Sequence, residues 1–299
     1  MAPSDELKAL VDQMPAPDSR GMYCHVAAGG GAEATPKGKA RRGVSQIDKD
    51  KIDAAVAGIA KLGKDGVLGL IDMLVEPGRG DDVKPHYALH CLVVHVGSLG
   101  DDKARGELAQ ALASQIGPGR PTGVRKYLIQ EVQGIGGAEV APALAACLGD
   151  EALCDDAARA LVAIGPAGAA CLRNALGAAK GPCRLTVVQN LGVLRDAPSA
   201  DALRQAVGDT NREVRLAAAW GLANLGDAAS VDLLLKAADV EPSWERTEQT
   251  KACLLLAERL AAAGRKDAAA RVYQHLADTR KDDSERYVRE QAQKALGAT

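Results

Sequence analysis

From Ile47 onward the apolar residues recur at three- and four-residue intervals, in short runs that are closed and then restarted. Val214, Ala218, Leu222 and Leu225 are one such set; on a helix they share a face and predict one buried stripe. Seven run ends can be aligned: Lys61-Leu-Gly63, Ser98-Leu-Gly100, Gly134-Ile-Gly136, Ala163-Ile-Gly165, Val193-Leu-Arg195, Asn224-Leu-Gly226 and Ala262-Ala-Gly264. Six of the seven carry glycine, the residue that ends a helix in a left-handed turn without steric cost. Between Gly136 and Gly226 the ends fall 29 to 31 residues apart. Each interval holds a first helix, such as Ala197 to Val207, a Gly-Asp turn and a second helix. Self-similarity at this period predicts a helical solenoid, in which each helix pair contacts only its neighbours.

Both ends depart from the pattern. Asp5 to Met14 predicts a short amphipathic helix with Leu7, Leu10, Val11 and Met14 on one side, ended by Met14-Pro-Ala-Pro17. Residues 15–46 lack apolar periodicity, and Ala27 to Ala40 is low in complexity and read as a mobile insert. Asp5–Met14 and Ile47–Leu62 are expected to form a first pair that shields the apolar end of the stack. Near the other end, an Ala/Leu helix, Gly264, and a helix carrying Ala268, Ala269 and Tyr273 look like a tetratricopeptide pair. A divergent pair of the preceding kind fits them equally well. The expected organisation is a capping helix plus flexible insert over 1–47, a repeat solenoid over 48–240, and divergent pairs over 241–299 continuous with it.

The phrase from Asp209 to Asp227 resembles the HEAT-like repeats of the phycobilisome-lyase type. Asp209, Glu213, Val214, Arg215, Ala217, Ala218, Ala219, Leu222, Leu225, Gly226 and Asp227 match that pattern. The resemblance extends over about residues 48 to 299, and implies an all-α, right-handed α-solenoid of about seven or eight helix pairs. Such repeats serve scaffolds, lyases and hydroxylases alike, so the likeness carries a fold and no activity.

Composition changes the picture only slightly. Hydrophobic residues make up 47% and aromatics 2%, with no phenylalanine, which suits thin layers of alanine and leucine better than one large core. No alternating β-branched run predicts a strand. With 37 basic and 39 acidic residues the formal charge is −2, giving no global attraction to nucleic acid or anionic membrane. The local basic run Lys37–Arg42 is a tether candidate or a solvated linker, and no neighbouring aromatic could stack a base. No segment reaches the roughly 18 to 20 apolar residues of a membrane span, and the N-terminus lacks a secretory apolar region, so a cytoplasmic protein is expected; a monomer is expected as well. Seven cysteines, at 24, 91, 147, 154, 171, 183 and 253, form no Cys-x-x-Cys pair and are expected to be core thiols.

Candidate chemistry is sparse. His86 and His90, four apart on one helix face, could begin a zinc site, but no Asp or Glu follows on that helix to complete it; two structural histidines are the alternative. Hydroxylases of similar fold use paired His-Glu steps, and no His-Glu dipeptide occurs here. Neither Gly29-Gly-Gly31 nor Gly134-Ile-Gly-Gly137 is followed by the lysine and hydroxyl of a phosphate loop. No cofactor is expected, and no catalytic residue is assigned.

Arg125, Arg184, Arg215 and Arg289 recur at one repeat position, as a ladder for an acidic ligand or as ties between layers. Six positions before each helix-ending residue stand Gln130, Arg159, Gln189, Trp220 and Glu258. One equivalent, non-apolar position on successive helices predicts a shared solvent-facing row. By the resemblance, second helices line the concave side, which makes this row a candidate partner-binding strip; ordinary helix surface is the alternative. An exposed tryptophan is a common binding anchor, which favours the strip. The sequence therefore supports a non-enzymatic, protein-binding scaffold. The alternatives are a HEAT-like lyase or oxidoreductase with a site not visible in the sequence, and a nucleic-acid binder, which the net charge disfavours.

Overall fold

Ser4 begins the first helix by accepting the Leu7 N–H at 3.2 Å, and the same device recurs along the chain. Asp48, Asp101, Asn211 and Ser243 each accept a backbone N–H from the first turn of the helix they open. The computed structural model describes residues 2–15 and 48–298. Among them every regular element is helical, and no strand occurs. The insert from 16 to 47, with Cys24, the basic run Lys37–Arg42 and the expected helix start at Ile47, lies outside the described residues. No described helix is long and apolar enough to cross a membrane.

The chain divides into two units, Met1–Ile135 and Gly136–Thr299. The first holds three helix pairs: α1 (Asp5–Val11) with α2 (Lys49–Lys61), α3 (Gly63–Asp72) with α4 (Val83–Ser98), and α5 (Asp102–Ala113) with α6 (Thr122–Ile135). Leu7, Val11 and Met14 are buried, and Leu10 and Leu7 lie against the bare faces of Gly58 and Gly69, so α1 packs on α2 and α3.

The second unit holds five pairs: α7 (Ala141–Ala145) with α8 (Cys154–Ile164), α9 (Pro166–Leu176) with α10 (Gly181–Leu194), α11 (Ala200–Ala206) with α12 (Arg212–Leu225), α13 (Val231–Ala238) with α14 (Trp244–Ala262), and α15 (Lys266–Thr279) with α16 (Arg286–Ala298). The second helices α8, α10, α12 and α14 pack side by side. Their apolar faces are mostly alanine, leucine and valine with almost no exposure, as in Ala157, Leu161, Val187, Leu191, Ala218 and Leu222. Val214, Ala218 and Leu222 form the expected stripe, while Leu225, the last helical residue, is only half-buried.

The aligned helix ends behave as the glycines predict, with two departures. Gly226 takes φ 74°, and Gly63, Gly100, Gly165 and Gly264 also have positive φ. Gly136 does not. At the end without glycine, Arg195 adopts the left-handed conformation itself, at φ 52° and ψ 43°. Backbone geometry here is imposed by the repeat, against the preference of the side chain.

Polar side chains tie the layers together. Arg125, Arg184, Arg215 and Arg289 are each the fourth residue of a second helix. Each reaches back to a carbonyl at or just past the end of the preceding first helix: Arg125 to Ile116 at 2.7 Å, Arg184 to Leu176 at 3.0 Å, Arg215 to Asp209 at 3.0 Å and Arg289 to Arg280 at 2.6 Å. Positive charge at a helix C-terminus satisfies carbonyls that have no intrahelical partner. Arg184 also binds the Asp209 carboxylate at 2.7 Å, and Arg215 binds Glu245 at 2.8 Å, joining adjacent pairs. The ladder is a set of internal ties, not a row of free cations.

A second tie was not legible as such. Ser199 and Ser230 are fully buried, and each donates to the aspartate three residues before it, Asp196 and Asp227. Those carboxylates also accept from Arg173 and Arg204 of the preceding first helices.

Candidate functional site: an aromatic groove on the second helices

Two glycines set the geometry. Gly192 of α10 faces Gly221 of α12 so closely that a Cβ on Gly192 would stand 2.8 Å from the Gly221 Cα. The same Cβ would stand 2.9 Å from the Trp220 ring, so the indole lies across the bare surface of α10. Asn224 fixes this junction by donating to the Gly192 carbonyl at 3.0 Å, and Arg259 of α14 donates to Asn224 at 3.0 Å. Three successive second helices are thereby held in register.

On their outer side α10, α12 and α14 form an open groove of about 780 Å³. Val193, Leu216, Trp220, Trp244 and Leu255 supply its apolar surface. Trp220 is 39% exposed, Trp244 52% and Val193 52%, an unusual amount of large apolar surface for adjacent helices. Gln189, Asn190, Glu213, Glu248 and Lys251 supply the polar lining. Its charges are paired within the chain: Arg212 holds Glu213 at 3.0 Å, and Lys251 holds Glu248 at 2.7 Å. Arg212 also places its guanidinium 4.9 Å from the centre of the Trp244 ring, a cation–π contact.

All five residues of the sequence-derived row are exposed. Gln189 and Trp220 line the groove; Arg159 and Glu258 stand on α8 and α14 outside its lining, with Arg159 bound to Asp156. Gln130 belongs to the first unit. Trp244 was not in the row, because it opens α14 rather than sitting in its middle. Its signal was available in the sequence: a tryptophan directly after the Ser243 cap has no earlier turn to pack against.

The two candidate histidines are placed differently from one another. His86 Nδ1 lies 3.1 Å from the Asp82 carboxylate and its ring 4.3 Å from that of Tyr127. His90 Nδ1 lies 3.1 and 3.2 Å from the two oxygens of Glu131, a buried carboxylate on α6. The acid missing from the histidines' own helix is thus supplied by the next second helix, 41 residues on. Among the described residues no three His, Cys, Asp or Glu are grouped to hold a metal. Of the six described cysteines, four are buried.

Glu131 raises the His90 pKa above its usual 6.5, chiefly through their hydrogen bond and against the effect of burial. Burial, then Glu131, pushes the neighbouring Tyr127 phenol far up, and burial raises the Cys91 thiol. His90 is therefore a group of this cluster whose charge changes near neutral pH. A raised folded pKa stabilises the fold fully below the unfolded value of 6.5, and that contribution disappears as pH rises through the folded value. Urea midpoints should accordingly fall between about pH 6 and pH 8. His90→Gln should flatten that slope; an unchanged slope would place the titration elsewhere.

The architecture defines the class first: an all-α repeat protein of stacked helix pairs. Residues 169–255, from within α9 to within α14, match the family model for HEAT repeats, and this stretch of the chain is built of them. No curated protein matches the chain. Among solved structures, an engineered protein is similar at 21% identity and a TM-score of 0.43, over 85% of this chain and 75% of that one. The complex of CpcE and CpcF of phycocyanin lyase from Nostoc sp. PCC7120 is similar at 16% identity and 0.37, over 77% and 94%. Human deoxyhypusine hydroxylase in complex with glycerol is similar at 17% identity and 0.34, over 84% and 91%. None of the three carries an activity over to this chain.

Proposed function

We propose that the protein is a non-enzymatic scaffold that binds a partner protein on the aromatic groove of α10, α12 and α14. The observation that carries this reading is the pair of tryptophans, each well exposed, that line one groove together with Val193 on a surface tied from beneath. Exposed tryptophan in a concave site, ringed by polar groups, is the usual composition of an interaction hot spot. The strip residues Arg159, Gln189 and Glu258 then belong to its polar margin and Gln130 to a separate surface of the first unit.

The test is the affinity of a captured partner for Trp220→Ala. Binding should weaken more than tenfold, about 1.4 kcal/mol, with little change in melting temperature. Unchanged affinity would move the partner to another face.

A further inference from the structure

We propose that Cys154 and Cys183 are a reversible thiol–disulfide pair, which a hydroperoxide oxidises to an intrachain bridge that clamps α8 to α10.

The stacking of the second helices brings the two residues together. Cys154 opens α8, and Cys183 is the third residue of the neighbouring α10. Cys154 Sγ lies 4.0 Å from the Thr186 hydroxyl, which stands one turn after Cys183 on the same face of α10. The two thiols are hydrogen-bonded to one another. Both cysteines and Thr186 are buried, and Thr186 in turn donates to the Asp155 carboxylate, so the junction is held from both helices. Two other thiols are engaged elsewhere: Cys253 Sγ meets the Leu234 carbonyl at 3.5 Å, and Cys91 hydrogen-bonds Tyr87.

A disulfide closes at about 2.0 Å between sulfurs, so the bridge asks thiols already in contact to approach further by side-chain rotation. Burial, with Cys154 beside it, pushes the Cys183 thiol up to about 12, so Cys183 keeps its proton and Cys154 reacts first. With hydrogen peroxide, the Cys154 sulfur takes one oxygen, becomes a sulfenic acid and releases water. The Cys183 sulfur then attacks it. The S–O bond breaks, the S–S bond forms, and the Cys183 proton leaves with the hydroxyl as a second water. The two thiols lose a pair of electrons and the peroxide gains it; a thiol reductant reverses the bridge by exchange.

The bridge closes a loop of roughly 30 residues that contains the whole of α9, and joins the pair α7–α8 covalently to the pair α9–α10. A cross-link of this kind restricts the unfolded chain, so oxidation should make the second unit harder to denature.

The full chain, first reduced, should be treated with graded hydrogen peroxide under native conditions. Remaining thiols are then blocked with N-ethylmaleimide in denaturant, and the digest is mapped by mass spectrometry without reduction. A peptide joining Cys154 to Cys183 should appear and vanish with dithiothreitol. The urea midpoint should rise on oxidation and return on reduction. Cys154→Ser and Cys183→Ser should each abolish both effects, whereas Cys253→Ser should leave both in place. The wild-type map decides the pairing even where a serine destabilises the buried junction, and Cys183→Ala repeats the test without a hydroxyl there.

Recovery of Cys154 and Cys183 as blocked thiols while other cysteines oxidise overturns the inference. So does a bridge from either one to a different cysteine, or a Cys154 sulfinic acid without a bridge. A linked pair with an unchanged midpoint, or a rise that persists in Cys183→Ala, overturns the clamp.

Discussion

Replacing Arg280 by alanine should cost the second unit about 3 kcal/mol or more. The side chain is completely buried, yet each of its three nitrogens finds an acceptor. Nε donates to the Thr250 hydroxyl at 3.0 Å, Nη2 to the Ala238 carbonyl at 2.9 Å, and Nη1 to Asp239 at 3.1 Å and the Thr279 hydroxyl at 2.9 Å. Alanine would leave a cavity, an unpartnered carbonyl and an unpartnered hydroxyl inside the last two helix pairs. Asp239 softens the loss, since it is 40% exposed and keeps His275 at 2.9 Å.

The same carboxylate supplies a pH signature. Burial works against its charged form, but hydrogen bonds from His275 and Arg280 outweigh that and hold its pKa below the ordinary 3.8. A lowered folded pKa gives stability that is present above 3.8 and is lost as pH falls through the folded value. The gap between the wild-type and Arg280→Ala unfolding curves should therefore be largest near neutral pH and narrow in acid. An equal gap at all pH values would mean that only the cavity matters.

Leu222→Ala should cost roughly 2 to 5 kcal/mol, because Leu222 is fully buried where α12 meets its neighbours and the tied layers resist collapse into the void. Two residues earlier on the same helix, Trp220 faces solvent over a good part of its surface. Gln189→Ala and Glu258→Ala, exposed on the flanking helices, should stay within about 0.5 kcal/mol. Chemical denaturation of the three variants measures the contrast. Similar losses in all three would show that the row is packed rather than free.

Helix periodicity and the glycine ends were enough to place the second helices, because both follow from local constraints: a stripe must recur with the helical turn, and a left-handed residue favours glycine. Trp220 could be placed outward for the same reason, standing at a position equivalent to Gln189 and Glu258. What the sequence hid were contacts between layers. Glu131 meets His90 from the next second helix, so a search along the histidines' own helix could not find it. Arg280 follows the last turn of α15 and looks like a solvated charge, whereas the Ala238 and Asp239 turn closes over it. Trp244 joins the groove from the opening of α14, a place the repeat alignment does not sample. Arg195 shows the converse: the repeat imposes a left-handed end where the residue itself gives no sign of one.

The most direct measurement of the central claim is a titration of the captured partner against two variants, Trp220→Ala and Leu99→Ala. Leu99 is 56% exposed on the first unit and serves as the matched control, an apolar surface side chain that does not line the groove. With both proteins folded, the account expects Trp220→Ala to bind more than tenfold more weakly, and Leu99→Ala to bind as the wild type does. Full affinity in Trp220→Ala, with or without a loss in Leu99→Ala, would contradict it.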